Sequence, residues 1–277
     1  MVAPGLVAAV EVGRRHGLAS DEPVVIQETN HMVVWLRPHP VMAKVGTRPG
    51  TAEALIFEHE VVTSVHALGA PVAEPWPDAG PVRHENTGFT VTLWTRIDGG
   101  PTTPVDDAAL GRSLRDLHQA LDRSAVPLPD FRIGLRRARQ ALSDETATSA
   151  LAHRDVILLR EVFDGVLPQL GSPAHLAHSI HGEPHEGNRF LTAAGIRWID
   201  FEDACRGPLE WDLCFFPEAV RAVYPDHDPD LLNRLAVLNS ARVATWCSGR
   251  HAVQFAEMRR HGQHHLGLVR DLWPHVG

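Results

Sequence analysis

His181 to Asp200 reads HGEPHEGNRFLTAAGIRWID. A histidine is followed after one residue by a carboxylate, Glu183, and then by an amide, Asn188, while Asp200 closes the apolar run Gly195 to Ile199. Asn188 and Asp200 offer hard oxygen donors of the type that Mg²⁺ takes. Glu183 offers a proton acceptor. The same residues would also suit an acidic surface turn ahead of a strand, so the reading needs support from the remainder of the chain.

Protein kinases place these residue types at this spacing in their catalytic loop, H-R-D-x-x-x-x-N, followed by the strand-end Asp of D-F-G. With glycine after the histidine, the loop resembles that of the aminoglycoside phosphotransferase family, whose usual form is HGDxxxxN followed by IDW or IDF. Here the two segments are HGEPHEGN and IDFE. The resemblance implies an α+β chain with a two-lobed, protein-kinase-like fold: a small antiparallel-sheet lobe over residues 1–97 and a mainly helical large lobe over 98–277. It implies ATP and Mg²⁺ as cofactors, Glu183 as the base, and Asn188 and Asp200 as metal ligands. His181 and Lys44 join Glu183 in the catalytic set. Glu183 stands where the family has Asp, and one extra methylene moves the carboxylate by about 1.5 Å. A misplacement of about 1 Å can cost on the order of 100-fold in rate, so the alternative to a kinase is a nucleotide-binding pseudokinase with a regulatory role.

Composition narrows the classes. The chain has 277 residues, enough for one large domain or two lobes, and is 44% hydrophobic and 22% charged, as soluble globular proteins are. Its net charge is −8 and it has no Lys/Arg-rich run, which argues against a nucleic-acid partner. No window is apolar enough to span a membrane and the N-terminus lacks a signal-peptide pattern, so the expected setting is cytoplasmic with no membrane partner. Cys205, Cys214 and Cys247 show no C-x-x-C spacing, against a disulfide framework or zinc site.

From Glu22 to Val45 three apolar runs separated by polar breaks read as a β-meander, with Thr29-Asn30-His31 at the first tip. Lys44 ends the third run, at the position of the lysine in V-A-I-K that reaches the α- and β-phosphates. A helix beginning near Thr51 follows. Leu55, Val61, Val62, Val65 and Leu68 share one stripe of it, and Glu58 falls inside that stripe while Glu60 points away. An inward carboxylate needs a partner, and Lys44 is the natural one. A snorkelling surface lysine and a marginal glutamate are the plainer alternatives.

His84 to Ile97 reads as a turn and a buried strand, with the break Asp98-Gly99-Gly100-Pro101 after it. In the resembling family this is the hinge that binds the adenine edge, so Trp94, Thr95, Arg96 and Ile97 are expected to contact nucleotide through backbone groups. Thr103-Pro104-Val105-Asp106 reads as a helix start with Thr103 as cap and Pro104 at the first position. Leu110, Leu114, Leu117 and Leu121 continue the stripe. Asp212, in GPLEWDL, matches a family Asp that supports the catalytic loop through backbone hydrogen bonds. The chain from Asp230 to Trp273 is helical by periodicity, broken at Gly249 and Gly262.

Between Asp200 and Asp230 stand nine carboxylates against Arg206 and Arg221, with no lysine. In the resembling family the small-molecule acceptor lies against this side, so the field would favour a cationic, amine-bearing compound. A solvated acidic loop is the plainer reading of YPDHDPD.

Overall fold

The computed structural model describes residues 3–29, 31–48, 50–99, 105–249 and 254–276. The chain forms two compact units, Met1–Pro127 with Glu183–Ala204 and Leu128–Gly182 with Cys205–Gly277. This division differs from a single cut after Ile97. Helix α3 (Asp107–Arg123) and the hairpin of β7 (Arg189–Thr192) and β8 (Gly195–Trp198) belong with the first unit. One reason is visible in the packing: the buried Trp198 indole donates to Ser113 Oγ of α3 at 3.1 Å.

The first unit is built on an antiparallel sheet in the order β1-β2-β3-β5-β4. Its strands are β1 (Val24–Glu28), β2 (Met32–Trp35), β3 (Val41–Gly46), β4 (Val82–Arg83) and β5 (Thr90–Thr95). Side chains alternate between faces along a strand, and here the alternation sorts packing from chemistry. Val41, Ala43 and Val45 share a core cluster with Ala8, Ala9 and Val12 of helix α1 (Pro4–Arg15). Met42 and Lys44, opposite Trp94 and Thr92, take the other face. A register slip of one residue would exchange the two sets.

Helix α2 (Thr51–Ala67) buries Leu55, Glu58, Val61, Val62 and Val65, while Glu60 is exposed. Helix α3 buries all four leucines of its stripe. Each fully buried leucine contributes roughly 1.5–3 kcal/mol of transfer free energy. The cap of α3 is Asp106, whose carboxylate accepts from Ala109 N at 3.0 Å, so the expected start at Thr103-Pro104 is corrected. Thr103 and Pro104 themselves lie outside the described residues, as do Asn30, Gly100 and Pro101.

The second unit is mainly helical: α4 (Arg132–Ala141), α5 (His153–Val166), α6 (Leu209–Leu213), α7 (Glu218–Arg221), α8 (Pro229–Trp246) and α9 (Ala256–Leu272). A small antiparallel ladder joins β6 (His178–Ile180) to β9 (Cys205–Gly207). Leu135, Leu159, Phe163, Leu235 and Leu238 centre its core. Gly262, expected to break a helix, instead lies buried inside α9. A Cβ there would stand 2.7 Å from Cys247 Cβ, so the missing side chain is what permits the close approach.

Candidate active site

Lys44, on the face of β3 turned away from α1, is the centre of the first unit's polar cluster. Its ammonium lies 2.8 Å from Glu58 Oε2, 2.8 Å from Asp200 Oδ1 and 2.7 Å from Glu202 Oε1. Oxygens of these three carboxylates all lie within 4.8 Å of one another. Burial opposes the charge on Lys44, but Glu58, Asp200 and Glu202 outweigh it and hold its pKa above the usual lysine value. Burial raises Glu58 in turn, against the pull of Lys44. Burial also pushes Glu202 up to about 8, with Asp200 and Glu58 adding to the rise and Lys44 opposing it.

The geometry of Asp200 is set by backbone. Trp198 N donates to Pro71 O at 2.8 Å and Ala73 N donates to Trp198 O at 2.9 Å, so the segment after α2 seats β8. Asp200 then turns through φ 67 and ψ 64, a left-handed conformation uncommon for a residue with a side chain. The turn brings Phe201 N within 3.3 Å of Glu58 Oε1, which ties the helix glutamate to the metal-binding candidate. Asn188, 5% exposed, is linked to the same turn because Ile199 N donates to Asn188 O at 3.0 Å. Its amide Nδ2 donates to Glu183 O at 2.9 Å. With Nδ2 so placed, Oδ1 is the atom left to act as a ligand. Lys44, Glu58, Asn188, Asp200 and Glu183 therefore all fall within the first unit.

His181 falls in the second unit and is fully buried. Its backbone N–H donates to Asp212 Oδ2 at 2.8 Å, and Gly182 N donates to Asp212 Oδ1 at 2.9 Å. The expected support from Asp212 is thus a pair of charge-assisted hydrogen bonds to the two residues that precede Glu183.

Sequence reasoning missed two members of the cluster. Glu202 was visible in IDFE but had no assigned partner, and no spacing rule links it to Lys44. His31 is buried, with Nδ1 3.2 Å from Glu202 Oε1; burial and the nearby Lys44 charge lower its pKa to about 4. It is a neutral imidazole beside a carboxyl group, at the tip joining β1 to β2.

Within residues 94–97 the Trp94 and Arg96 side chains are already engaged. Trp94 Nε1 donates to Thr92 Oγ1 at 2.9 Å, and the Arg96 guanidinium stacks 4.4 Å from the Trp35 ring centroid and pairs with Asp98. Thr95 N donates to Glu74 O at 2.9 Å and Arg96 N to Pro40 O at 2.8 Å. The Ile97 N–H has no backbone or side-chain acceptor among the described residues. Thr95, Arg96 and Ile97 line a cleft of about 400 Å³. A larger cleft of about 620 Å³ runs along α3 beside β7 and β8 and includes none of the charged cluster. Neither cleft is lined by Lys44, Glu58, Asp200 or Glu202.

The carboxylates between Asp200 and Asp230 are less free than their number suggests. Glu210 accepts from Asp228 N at 2.8 Å, and Asp228 in turn caps α8 by accepting from Asp230 N and Leu231 N. Glu218, Asp226 and Asp230 are exposed.

Among solved structures, the chain matches the GDP complex of wild-type aminoglycoside 2'-phosphotransferase-IIIa over 97% of its own length and 99% of that chain, at 13% identity and TM-score 0.70. It matches amicoumacin kinase hAmiN in complex with AMP-PNP, Ca²⁺ and Ami over 94% and 92%, at 13% identity and TM-score 0.69. A choline/ethanolamine kinase family protein from Mesorhizobium loti matches over 91% and 87%, at 16% identity and TM-score 0.63. These likenesses establish a protein-kinase-like α+β fold, the fold of small-molecule phosphotransferases. The chain belongs to the phosphotransferase enzyme family, whose sequence pattern it matches over residues 27–254, and is a small-molecule phosphotransferase. Among curated proteins none matches it in sequence. No helix of the described residues is long and apolar enough to cross a membrane.

Proposed function

We propose that the protein moves the γ-phosphoryl group of ATP to a hydroxyl of an amine-bearing small molecule, in the cytoplasm, with Mg²⁺. The observation that carries the reading is the meeting of Lys44 with Glu58 and Asp200, contributed by a strand, a helix and a strand-end turn far apart in sequence.

The donor set fits a divalent cation. Three carboxylates face one ammonium, and when ionised they leave two negative charges in excess; burial raises the Glu202 pKa to about 8, and Asp200 and Glu58 add to the rise while Lys44 opposes it. Asp200 and Asn188 would hold Mg²⁺, with Glu202 beside them, through oxygen donors of the hard type it prefers. When bound, the ion would offset charge on the nucleotide phosphates.

Lys44, oriented by Glu58, clamps the α- and β-phosphates. The backbone of Trp94, Thr95, Arg96 and Ile97 meets the adenine edge, with the Ile97 N–H as a donor. Glu183 orients the acceptor hydroxyl and takes its proton as the phosphoryl group leaves ATP for the hydroxyl oxygen. His181 serves this step through its backbone, since its ring is enclosed. Most of the rate enhancement in such a site is positioning and electrostatics.

An amine-bearing acceptor is supported by the exposed carboxylates Glu218, Asp226 and Asp230. The test is turnover of MgATP against a panel of aminoglycosides, other amines and neutral sugars. An accepted amine whose KM rises with ionic strength supports the reading, because exposed charge attraction is screened over about 8–10 Å in physiological salt. A neutral sugar accepted with a salt-independent KM refutes the charge argument. MgATP binding with no turnover on any acceptor would instead favour a pseudokinase.

A further inference from the structure

The second unit buries a guanidinium. Arg242, on α8, is 8% exposed. Burying a charge carries a desolvation cost that an apolar side chain of similar volume would avoid. Its surroundings indicate what the charge does. The guanidinium carbon lies 5.5 Å from the centroid of the Trp211 ring, and Nε donates to Oδ1 of the buried Asn239 at 3.2 Å.

Trp211 is the residue next to Asp212, and the two work on the same peptide units. The Trp211 indole N–H donates to Gly182 O at 2.8 Å, while the Asp212 carboxylate accepts from His181 N and Gly182 N. Phe131 packs against the Trp211 ring, with centroids 5.8 Å apart and planes at 56°. The ring is therefore placed by Phe131 and Arg242 together. The Cys214 thiol, further along the same turn, is raised above its usual range by burial and then by Asp212, with Arg242 and Arg221 opposing. Arg242 thus meets the segment that carries Asp212 at the Trp211 ring.

We propose that Arg242 is a positioning residue for phosphoryl transfer: by stacking on Trp211, whose indole N–H holds Gly182 O, it fixes the His181-Gly182 backbone from which Glu183 continues. Cation–π stacking of a desolvated guanidinium supplies the attraction and the planar contact. The kinetic half of this assignment rests on the role proposed above for Glu183, whereas the conformational half does not.

The experiment uses the full chain with R242M, R242K, W211F and the double variant R242M/W211F. Hydrogen exchange reads the loop without reference to activity. In R242M the amides of His181 and Gly182 are expected to exchange about tenfold faster or more, with α4 and α5 unchanged, because local opening follows the local contacts that are lost. R242K, which keeps the charge and loses the flat stack, should fall between R242M and wild type. R242M/W211F should exchange no faster than W211F, since both changes act through one ring. Turnover of MgATP, with water and with each acceptor of the panel of aminoglycosides, other amines and neutral sugars, should show kcat reduced about tenfold in R242M with the nucleotide KM retained.

Unchanged loop exchange in R242M would overturn the proposal, as would faster exchange spread evenly through α4, α5 and α8. Additive effects of R242M and W211F would overturn the route through Trp211. A loop response with undiminished kcat would overturn the positioning role. If the wild type shows the protected loop but transfers phosphate to nothing, the reading of Glu183 fails while the hold of Arg242 on the loop stands.

Discussion

Lys44→Met tests whether the three carboxylates are gathered around an ammonium or merely lie near one. Methionine keeps most of the apolar stem and removes the charge. At 2.8 Å, and with an effective dielectric constant of about 20, each pair has a gross Coulomb attraction of roughly 6 kcal/mol, much of it offset by desolvation. The Asp200 side chain is 40% exposed, so solvent screening reduces its share to little. Glu58, at 4%, is the partner left with no cation and, among the described residues, only the Phe201 N–H as a donor. Removing one partner of a buried pair costs about 3–5 kcal/mol. At roughly 2–4 °C per kcal/mol the melting temperature should fall by about 10 °C near pH 8.

The pH dependence has a definite sign. Burial already raises the pKa values of Glu58 and Glu202, and loss of Lys44 raises them further, so in the variant the folded state binds protons that the unfolded chain releases. Acid then stabilises the variant relative to wild type. The gap should narrow as the pH falls from about 8 to 5, and Mg²⁺ should recover part of it near pH 8. Thermal unfolding of both proteins across this range, with and without Mg²⁺, is the assay. A difference below about 2 °C near pH 8, or one indifferent to pH, would refute the account of the cluster.

Asp200→Ala should abolish Mg²⁺-dependent stabilisation by nucleotide while leaving the unfolding transition of the free protein cooperative; wild-type MgATP affinity in that variant would remove Asp200 from the metal site. Glu183→Gln should lose most phosphoryl transfer with little change in MgATP binding, and Glu183→Asp should keep or raise it; equal turnover by the glutamine variant would make the residue a bystander. Glu202→Gln should flatten the stability profile. In the wild type a pKa of about 8 means that the folded protein gains stability on protonation and loses it as the pH rises from the ordinary carboxylate value through 8, which calorimetry of the two proteins compares directly. Gly99→Ala would place a Cβ 2.3 Å from Leu191 O, so an overpacking cost of about 1–3 kcal/mol and a raised nucleotide KM are expected from unfolding and steady-state assays.

Much of the candidate site was legible from spacing because the relevant geometry is local. His181 to Asp200 spans one loop and one hairpin, so residue types at fixed offsets carry their arrangement with them. Glu58 was legible for a related reason: helical periodicity sets it on the buried stripe of α2, and a buried carboxylate implies a cation. Helix α1 left no comparable signal. It begins after Ala3 with no side-chain cap, and it is defined by the sheet face that it covers. The α3 start was misread by three residues because Thr103-Pro104 and Asp106 offer competing cap signals, and only the bond to Ala109 N chooses between them.

By itself, then, the order of residues offered the lysine–glutamate pairing through helical period, and the kinase-like plan and the loop that carries Glu183 through a resemblance borne by short spacings. Tertiary structure alone decided that Glu202 and His31 join Lys44, that Arg242 reaches Trp211, and that several carboxylates after Asp200 serve as caps. Those contacts join residues on separate elements. Whether two such residues meet depends on how helices and strands pack, and no spacing along the chain encodes that.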